Sequence, residues 1–550
     1  MDSSARHWLF SLAAGLLLLG GWAHAGTVTI SGAAKDQRSY QPVAGAQVEL
    51  VNQADTTDRY RTQSDVNGFW SYTIELTGVR PDAGVPTTAL LLPNYPNPFN
   101  PSTTIRFSLP MAGRVRLSIY NILGQELGTR TADLTPGEYR VEWSARGAAG
   151  VLFYSLEWRG TTTTRKMVQL DGGEGSGLGE MIPVGGISSV AAKPFAGPPI
   201  FLLVASRLDY EPESTQVALT SGTMTIDFSM DTVHDRAFVI DLHKDVIEKV
   251  MDGYSLGPLH TSEHSDLPRF RKGGYDAQLF AIWADPSAYA SAPYARAMAM
   301  IDAFENEIAA NVDTFAQARS FADLTDLSSN RIFAGLLGVE GGHAIENDLS
   351  KLEAFYNRGV RCLTITWNNS TAWAISAQDP LSASQGLSPF GRQVIQTMDS
   401  LGMIIDVSHV GVQTIKDILS VTKNPIIASH SGARALRNHY RNLTDEQILS
   451  IANGGGVIGV VFYPAFLSST NSATLDTVVR HIDYIRNLVG IDHIALGSDY
   501  DGMSPAPFGL EDVSHLPALT LRLLQKGYSR EDVRKVLGGN FLRLVRTVCH

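Results

Sequence analysis

The residues with the clearest chemical capacity are three histidines and three carboxylates, each at or just beyond the end of an apolar run. AFVIDLHKD carries His243 and Asp245, FAGLLGVE ends at Glu340, MIIDVSH at His409, NPIIASH at His430, and HIALGSDYD reaches Asp499. Imidazole nitrogens and carboxylate oxygens are the donors that hold zinc and similar divalent ions. Three of each suffice for a pair of ions, which can share a water, lower its pKa and polarise a carbonyl. His243 and Asp245 stand two apart, so in extended chain both side chains point the same way and can reach one ion. A carboxylate such as Glu340 can bridge two cations, which imidazole cannot, and Gly341 and Gly342 allow a tight turn beside it. Taken singly, an H-x-D pair is more often a surface pair, and a lone histidine after an apolar run is more often a satisfied core residue. Recurrence at five run ends favours a metal-dependent hydrolase. His343 is expected to be structural or supporting.

Such residues need a scaffold that presents strand ends to one place. Beyond about residue 230, apolar runs of a few residues alternate with amphipathic stretches, the mark of repeated β-α units. Eight candidate strands fall near 237–243, 277–283, 332–340, 361–367, 403–409, 425–430, 457–463 and 493–499. Helical patterns such as PFGRQVIQTMDSL, TDEQILSIAN and LDTVVRHIDYIRNLV lie between them. Runs such as GVIGVVF are too short for helices and read as strands buried on both faces. The pattern predicts an α/β (β/α)8 TIM-type barrel, whose catalytic end is the C-terminal end of its strands.

The chain has 550 residues, a formal net charge of −11, 44% hydrophobic and 18% charged residues. That balance, without a basic stripe, argues against a nucleic-acid partner and against electrostatic attachment to anionic lipid. Residues 1–25 read as a secretory signal peptide: Arg6 and His7 precede the apolar WLFSLAAGLLLLGGW, and Ala23-His24-Ala25 supplies a cleavage site. The mature protein is expected to be exported (periplasmic, cell-surface or secreted) with no membrane span. Cys362 and Cys549, the only cysteines, are expected to be unpaired thiols.

Ahead of the barrel the chain reads as all-β sandwich modules. GAQVEL…SDVNGFWSY resembles the carboxypeptidase regulatory-like sandwich, and DYEPESTQVALTSGTMTIDFSM looks like its closing strands. NYPNPFNP, IYNILGQE and the stretch to MVQL closely resemble the immunoglobulin-like sorting domain of Bacteroidetes-type secreted proteins. In that family the module is read at the C-terminus, whereas an enzyme follows it here, which favours a spacer or adhesion role. The multidomain layout expected is a split regulatory-like sandwich (26–90 and 198–231), an inserted sorting-domain-like module (91–171), a Gly/Pro/Ala-rich linker (172–197) and the barrel (232–550).

Within the barrel, DLHKD, GVEGGHAIENDL, GLSPFGRQVI, GMIIDVSHV, PIIASHSGARAL, RNLTDEQ, IALGSDYDG and GLEDVSHLPAL occur in order. This region resembles the membrane (renal) dipeptidase family, zinc peptidases of the amidohydrolase type. The resemblance implies that His243 and Asp245 bind one zinc, His409 and His430 bind a second, and Glu340 bridges them. It places Asp499 near the metal-bridging water as the proton carrier, and Arg441 of RNLTD at the substrate's carboxylate. Better-known members have L-T-x-T-H after the fourth strand, with the histidine near the scissile carbonyl. Here Trp367 takes that place, and indole can donate a hydrogen bond but cannot become cationic or bind metal. Trp367 and Asn368 are therefore expected among the substrate contacts, with Asn369 as an alternative.

The expectation is an exported binuclear zinc dipeptidase acting on short peptides with a free C-terminal carboxylate, tolerant of D-residues. Manganese or cobalt could serve in place of zinc. A related amidohydrolase acting on N-acyl amino acids, lactams or lactones stays open because of Trp367. So does an inert barrel in a surface-binding protein. The partner expected is a dipeptide or small amide; a homodimer is compatible with this reading, and no envelope partner of the β modules is identified.

Overall fold

A computed structural model describes residues 26–549, apart from 54–55, 57, 77–88, 93, 95–96, 98, 100–101, 148, 170–172, 184–199, 220–221 and 471. The expected signal peptide and part of the expected linker lie outside these residues. Eight parallel strands organise the C-terminal half: β1 (Ile240–Asp241), β2 (Ala277–Trp283), β3 (Phe333–Glu340), β4 (Val360–Thr364), β5 (Ile404–Asp406), β6 (Ile427–Ser431), β7 (Val457–Val460) and β8 (Ile494–Leu496). Each pairs with its neighbours in order, β8 returns to β1, and β2 pairs with β3 over Ala277↔Ala334 to Trp283↔Glu340. The result is a closed barrel. A short strand, Phe315–Gln317, adds to β3 from outside.

The residues of β2 are buried apart from Trp283, and β3 is buried throughout, which is why these strands read as continuous apolar runs. The helices bear their own stop signals. Helix Pro389–Leu401 starts at Ser388, whose side chain accepts from Gly391 N, and ends before Gly402 at φ 72°. Helix Asp445–Asn453 begins with a reciprocal capping box between Thr444 and Gln447. Helix Asn540–Val548 buries Phe541, Leu544, Val545 and Val548 in one cluster with barrel residues Leu279, Ala334, Cys362 and Ile404. Cys362 and Cys549 are free and buried there. Among the described residues no helix is long and apolar enough to cross a membrane.

Ahead of the barrel the elements are mostly strands. Gly26–Asp36 pairs with Phe69–Leu76 and, in parallel, with Gly222–Thr225 and Phe228–Met230. Ile200–Ser206 pairs with Gln47–Asn52, so strands far apart in the chain share one sheet. Val28, Ile30, Leu50, Trp70, Phe201 and Leu203 form their common core. Between them, two further sheets enclose Phe107, Leu117, Trp143 and Tyr154. The linker expected over 172–197 is in part strand: Gly173–Leu178 and Ile182–Pro183 pair with Gly137–Gly147. A ladder is made by backbone groups, so a glycine-rich segment can extend an edge without apolar patterning. The first sandwich meets the barrel through Arg530, whose guanidinium donates to the carbonyls of Arg207 (3.1 Å) and Tyr210 (2.9 Å), and through an Arg534–Glu211 ion pair.

Candidate metal centre and substrate cleft

The six chemically capable residues converge at the C-terminal end of the barrel strands. β1 stops at Asp241, and His243 and Asp245 follow; Glu340 closes β3; His409 lies three residues past β5, His430 within β6, and Asp499 three past β8. His409 and Asp499 leave their strands in left-handed backbone, with φ 67° and 66°. Non-glycine residues held in that region store strain and concentrate at functional sites. Gly502 completes the mouth, because a Cβ there would stand 2.1 Å from Asp245 Oδ2 and 2.9 Å from Asp499 Oδ1.

Three overlapping groups have ligand atoms within 4.8 Å of one another: His243 with Asp245 and Glu340, Glu340 with His409 and His430, and His243 with His430 and Asp499. Glu340 faces both ways. Its Oε2 is 3.5 Å from His243 Nε2, and its Oε1 is 3.0 Å from His409 Nε2 and 3.6 Å from His430 Nε2. The His243 and His430 rings stack at 3.7 Å.

Beneath this cluster lie two buried aspartates to which the sequence reading assigned no role. Asp406 accepts on one oxygen from Ser408 N (3.0 Å) and Ser429 N (2.8 Å), and on the other from Thr364 Oγ1 and Ser429 Oγ (both 2.6 Å). With its proton on Asp406, Ser429 Oγ accepts from His430 Nδ1 at 2.8 Å. His409 Nδ1 in turn donates to Asn368 Oδ1 at 3.0 Å. Asp241 repeats the pattern across β1 and β8. It accepts from Ser498 N (2.7 Å) and Ser498 Oγ, and pairs with buried Lys244 at 3.1 Å. A carboxylate inside an apolar run, as in VIDLH and IIDVSH, was the available signal.

These bonds fix the tautomers of His409 and His430 and leave both Nε2 atoms with lone pairs. The two nitrogens face each other at 3.1 Å with Glu340 Oε1 beside them. Three acceptors so close call for a cation, and the N/O donor set suits zinc. Burial works against charge on His409, and with the nearby Arg441 pushes it down to about 3. Burial, then His243, lowers His430 well below the usual imidazole range. His243 goes the other way: burial opposes its charge, but Glu340 and Asp245 outweigh it and hold it well above. Burial also works against charge on Glu340, but His243 and His409 outweigh it and hold its carboxyl well below the usual range. Burial first, then the charge of Asp245, raises Asp499 well above the ordinary carboxyl range. Concentrated negative charge around a buried imidazolium is an arrangement a divalent cation can replace.

The family profile described as membrane dipeptidase, peptidase family M19, matches residues 229–550. The chain belongs to the membrane dipeptidase family. It is a metal-dependent peptidase of that type. Among solved structures it is similar to dipeptidase AC, a metallo peptidase (27% identity, 57% of this chain and 99% of that one, TM-score 0.53). It is similar also to a metallo peptidase from Rhodobacter sphaeroides bound to a phosphinate mimic of the dipeptide L-Ala-D-Ala (26%, 57% and 99%, TM-score 0.53). An amidohydrolase from Pseudomonas aeruginosa matches similarly (26%, 58% and 98%, TM-score 0.51). A second profile, the secretion system C-terminal sorting domain, matches residues 94–169 and suggests export or the cell surface.

In this family member the residues expected around the substrate are placed as follows. Arg441 is buried; its Nη2 donates to His430 O at 3.2 Å, while Nε and Nη1 are buried without a hydrogen-bond partner among the described residues. Its guanidinium lies 5.3 Å from the centre of the Phe466 ring. Trp367 is partly buried, with its ring 6.0 Å from that of His409. Asn368 has its side-chain oxygen on His409, and the Asn369 oxygen is buried without a partner. His343 Nε2 donates to Ala284 O at 2.8 Å, and its Nδ1 is buried without a partner among the described residues. Trp283, which the sequence reading did not single out, packs against Trp367 with ring centres 5.0 Å apart.

Proposed function

We propose that this protein is an exported dipeptidase that uses two zinc ions and cleaves short peptides with a free C-terminal carboxylate. The observation that carries this reading is Arg441: a buried guanidinium beside the ligand set, with two donors lacking a protein partner. A buried charge left unpaired is costly, and the fork of an arginine matches a carboxylate with two parallel bonds. A substrate carboxylate would satisfy both donors and limit substrate length, because a longer peptide has no carboxylate at that distance.

In this reading His243 and Asp245 would hold one ion and His409 and His430 the other, with Glu340, which faces both pairs, contributing to each. When bound, the ions supply electrophilic polarisation of the scissile carbonyl and activation of water near neutral pH. Asp499, buried between the ligands and Arg441, accepts a proton as the nucleophile attacks and delivers it to the departing amine. Asn368 and Ser429 hold the two imidazoles in one tautomer throughout. The L-Ala-D-Ala mimic bound by the Rhodobacter relative supports tolerance of D-residues at the C-terminal position. The strands on either side of 91–183 share one sheet, which supports one sandwich interrupted by the sorting-domain module.

Metal content and hydrolysis measured together test this reading. The wild type is expected to bind two zinc ions per chain and cleave a panel of L,L and L,D dipeptides. Glu340→Gln is expected to lose at least one ion and about 1000-fold or more in kcat/KM, the scale on which metal activation operates. Retention of both ions with full activity in that variant would refute the bridging role. Hydrolysis of N-acyl amino acids with no cleavage of any dipeptide would replace the substrate assignment.

A further inference from the structure

The barrel mouth is chemically lopsided. In a ring of eight sequential strands, β6 lies across from β2. The loop after β6 carries Arg441, and β2 ends in Trp283, paired with Glu340. Trp367, just past β4, closes against Trp283 at 5.0 Å and approaches His409 at 6.0 Å. Both indoles are partly exposed, and Trp367 lies beside His409 of the ligand cluster. His343 lies beside it: a Cβ on Gly341 would stand 2.4 Å from the His343 ring and 3.4 Å from Trp367 Cβ. Neither indole can ionise or accept a hydrogen bond, and a ring face offers apolar contact.

We propose that Trp283 and Trp367 form the pocket for the side chain of the substrate's amino-side residue, and that this pocket selects aromatic or large aliphatic side chains. The inference rests on the reading of Arg441 as the carboxylate clamp. With the carboxylate held on the β6 side and the scissile bond at the ligand cluster, the amino-side residue extends towards β2 and β4. There it meets the two indoles. A glycine or serine would leave that surface wet, whereas a benzyl or isobutyl group would cover it. The same wall disfavours an acidic side chain, which would exchange water for a ring with negative faces.

Binding of two phosphinate dipeptide mimics to the metal-loaded full-length protein tests this apart from turnover. The mimics carry benzyl or hydrogen at the amino-side residue and are otherwise identical. Burial of a phenylalanine-sized group predicts that the benzyl compound binds about 10- to 100-fold tighter. Trp367→Ala is expected to reduce that ratio to about threefold or less, Trp283→Ala to lower it in the same direction, and Trp367→Phe to retain most of it. Metal content, measured in parallel, shows that the ligand set is intact in each variant. Equal affinity of the two mimics for the wild type overturns the proposal. So does a Trp367→Phe variant that loses as much as Trp367→Ala, because the ring face would then not be the determinant. Preferential binding of the benzyl mimic without hydrolysis of any dipeptide would instead leave the pocket standing and remove the dipeptidase reading.

Discussion

The two sides of the barrel mouth are built on opposite principles. On the ligand side, the atoms of His409 and His430 that point away from the cluster are already engaged: His430 Nδ1 by Ser429, Ser429 by Asp406, His409 Nδ1 by Asn368. On the side proposed for the substrate, two buried donors of Arg441 are left over. Satisfied networks rigidify, and unsatisfied buried groups cost free energy until something binds them. The contrast separates what the fold holds ready from what the proposed substrate would complete. It also implies that substitutions on the two sides should differ in sign when stability is measured.

After Glu340→Gln, the largest effect expected is at Gly502, packed between Asp245 and Asp499. An added Cβ would stand 2.1 Å from Asp245 Oδ2 and 2.9 Å from Asp499 Oδ1, so the carboxylates or the backbone must move. Misplacement by about 1 Å can cost about 100-fold in rate. Gly502→Ala is therefore expected to lose about 100-fold or more in kcat/KM and to bind its metals more weakly in chelator competition. Wild-type kinetics in that variant would show that the mouth is more compliant than the close contacts imply.

The barrel itself was legible because most of its strands are buried on both faces. The expected strands at 277–283 and 332–340 differ from β2 and β3 by no more than one residue. The runs expected to end at His409 and Asp499 are shorter than read, because these residues turn out of the ladder into left-handed backbone to face the cleft. Apolar patterning cannot register such a departure. Asp241 and Asp406 read as strand residues, since their meaning depends on Ser498, two residues past β8, and Ser429 in β6, both on the neighbouring side of the barrel. The Trp283–Trp367 wall joins the end of β2 to the loop after β4 and has no periodicity to betray it. In the first half, Gly173–Leu178 read as linker because an edge ladder is made by the backbone.

Arg441 tests the substrate side. Arg441→Met keeps much of the side-chain volume and removes the fork. Loss of charge-assisted hydrogen bonds worth about 1.5–3 kcal/mol predicts a fall of about 10- to 150-fold in kcat/KM for dipeptides, carried mainly by KM. C-terminally amidated substrates, poor for the wild type, should lose much less. Because the variant also removes a buried charge with unpartnered donors, its melting temperature in the absence of substrate is expected to equal or exceed that of the wild type. A clear drop in stability would mean that Arg441 is part of the framework and would erase the contrast.

Ser429 tests the ligand side, with the smaller effect on turnover and the opposite sign on stability. Ser429→Ala removes the hydroxyl between Asp406 and His430, leaving His430 Nδ1 without its acceptor and one Asp406 oxygen with one donor fewer. Residues that orient a ligating histidine typically contribute about 10- to 100-fold to metal affinity. That range is expected here in competition with a chelator, whereas kcat at saturating zinc should change less. Leaving buried polar groups unpaired costs about 1–3 kcal/mol, so the metal-free protein should melt lower than the wild type. The comparison is sharpest when both variants are melted side by side: Ser429→Ala falling and Arg441→Met holding or rising is the outcome that distinguishes a prepared ligand set from a substrate site completed only on binding.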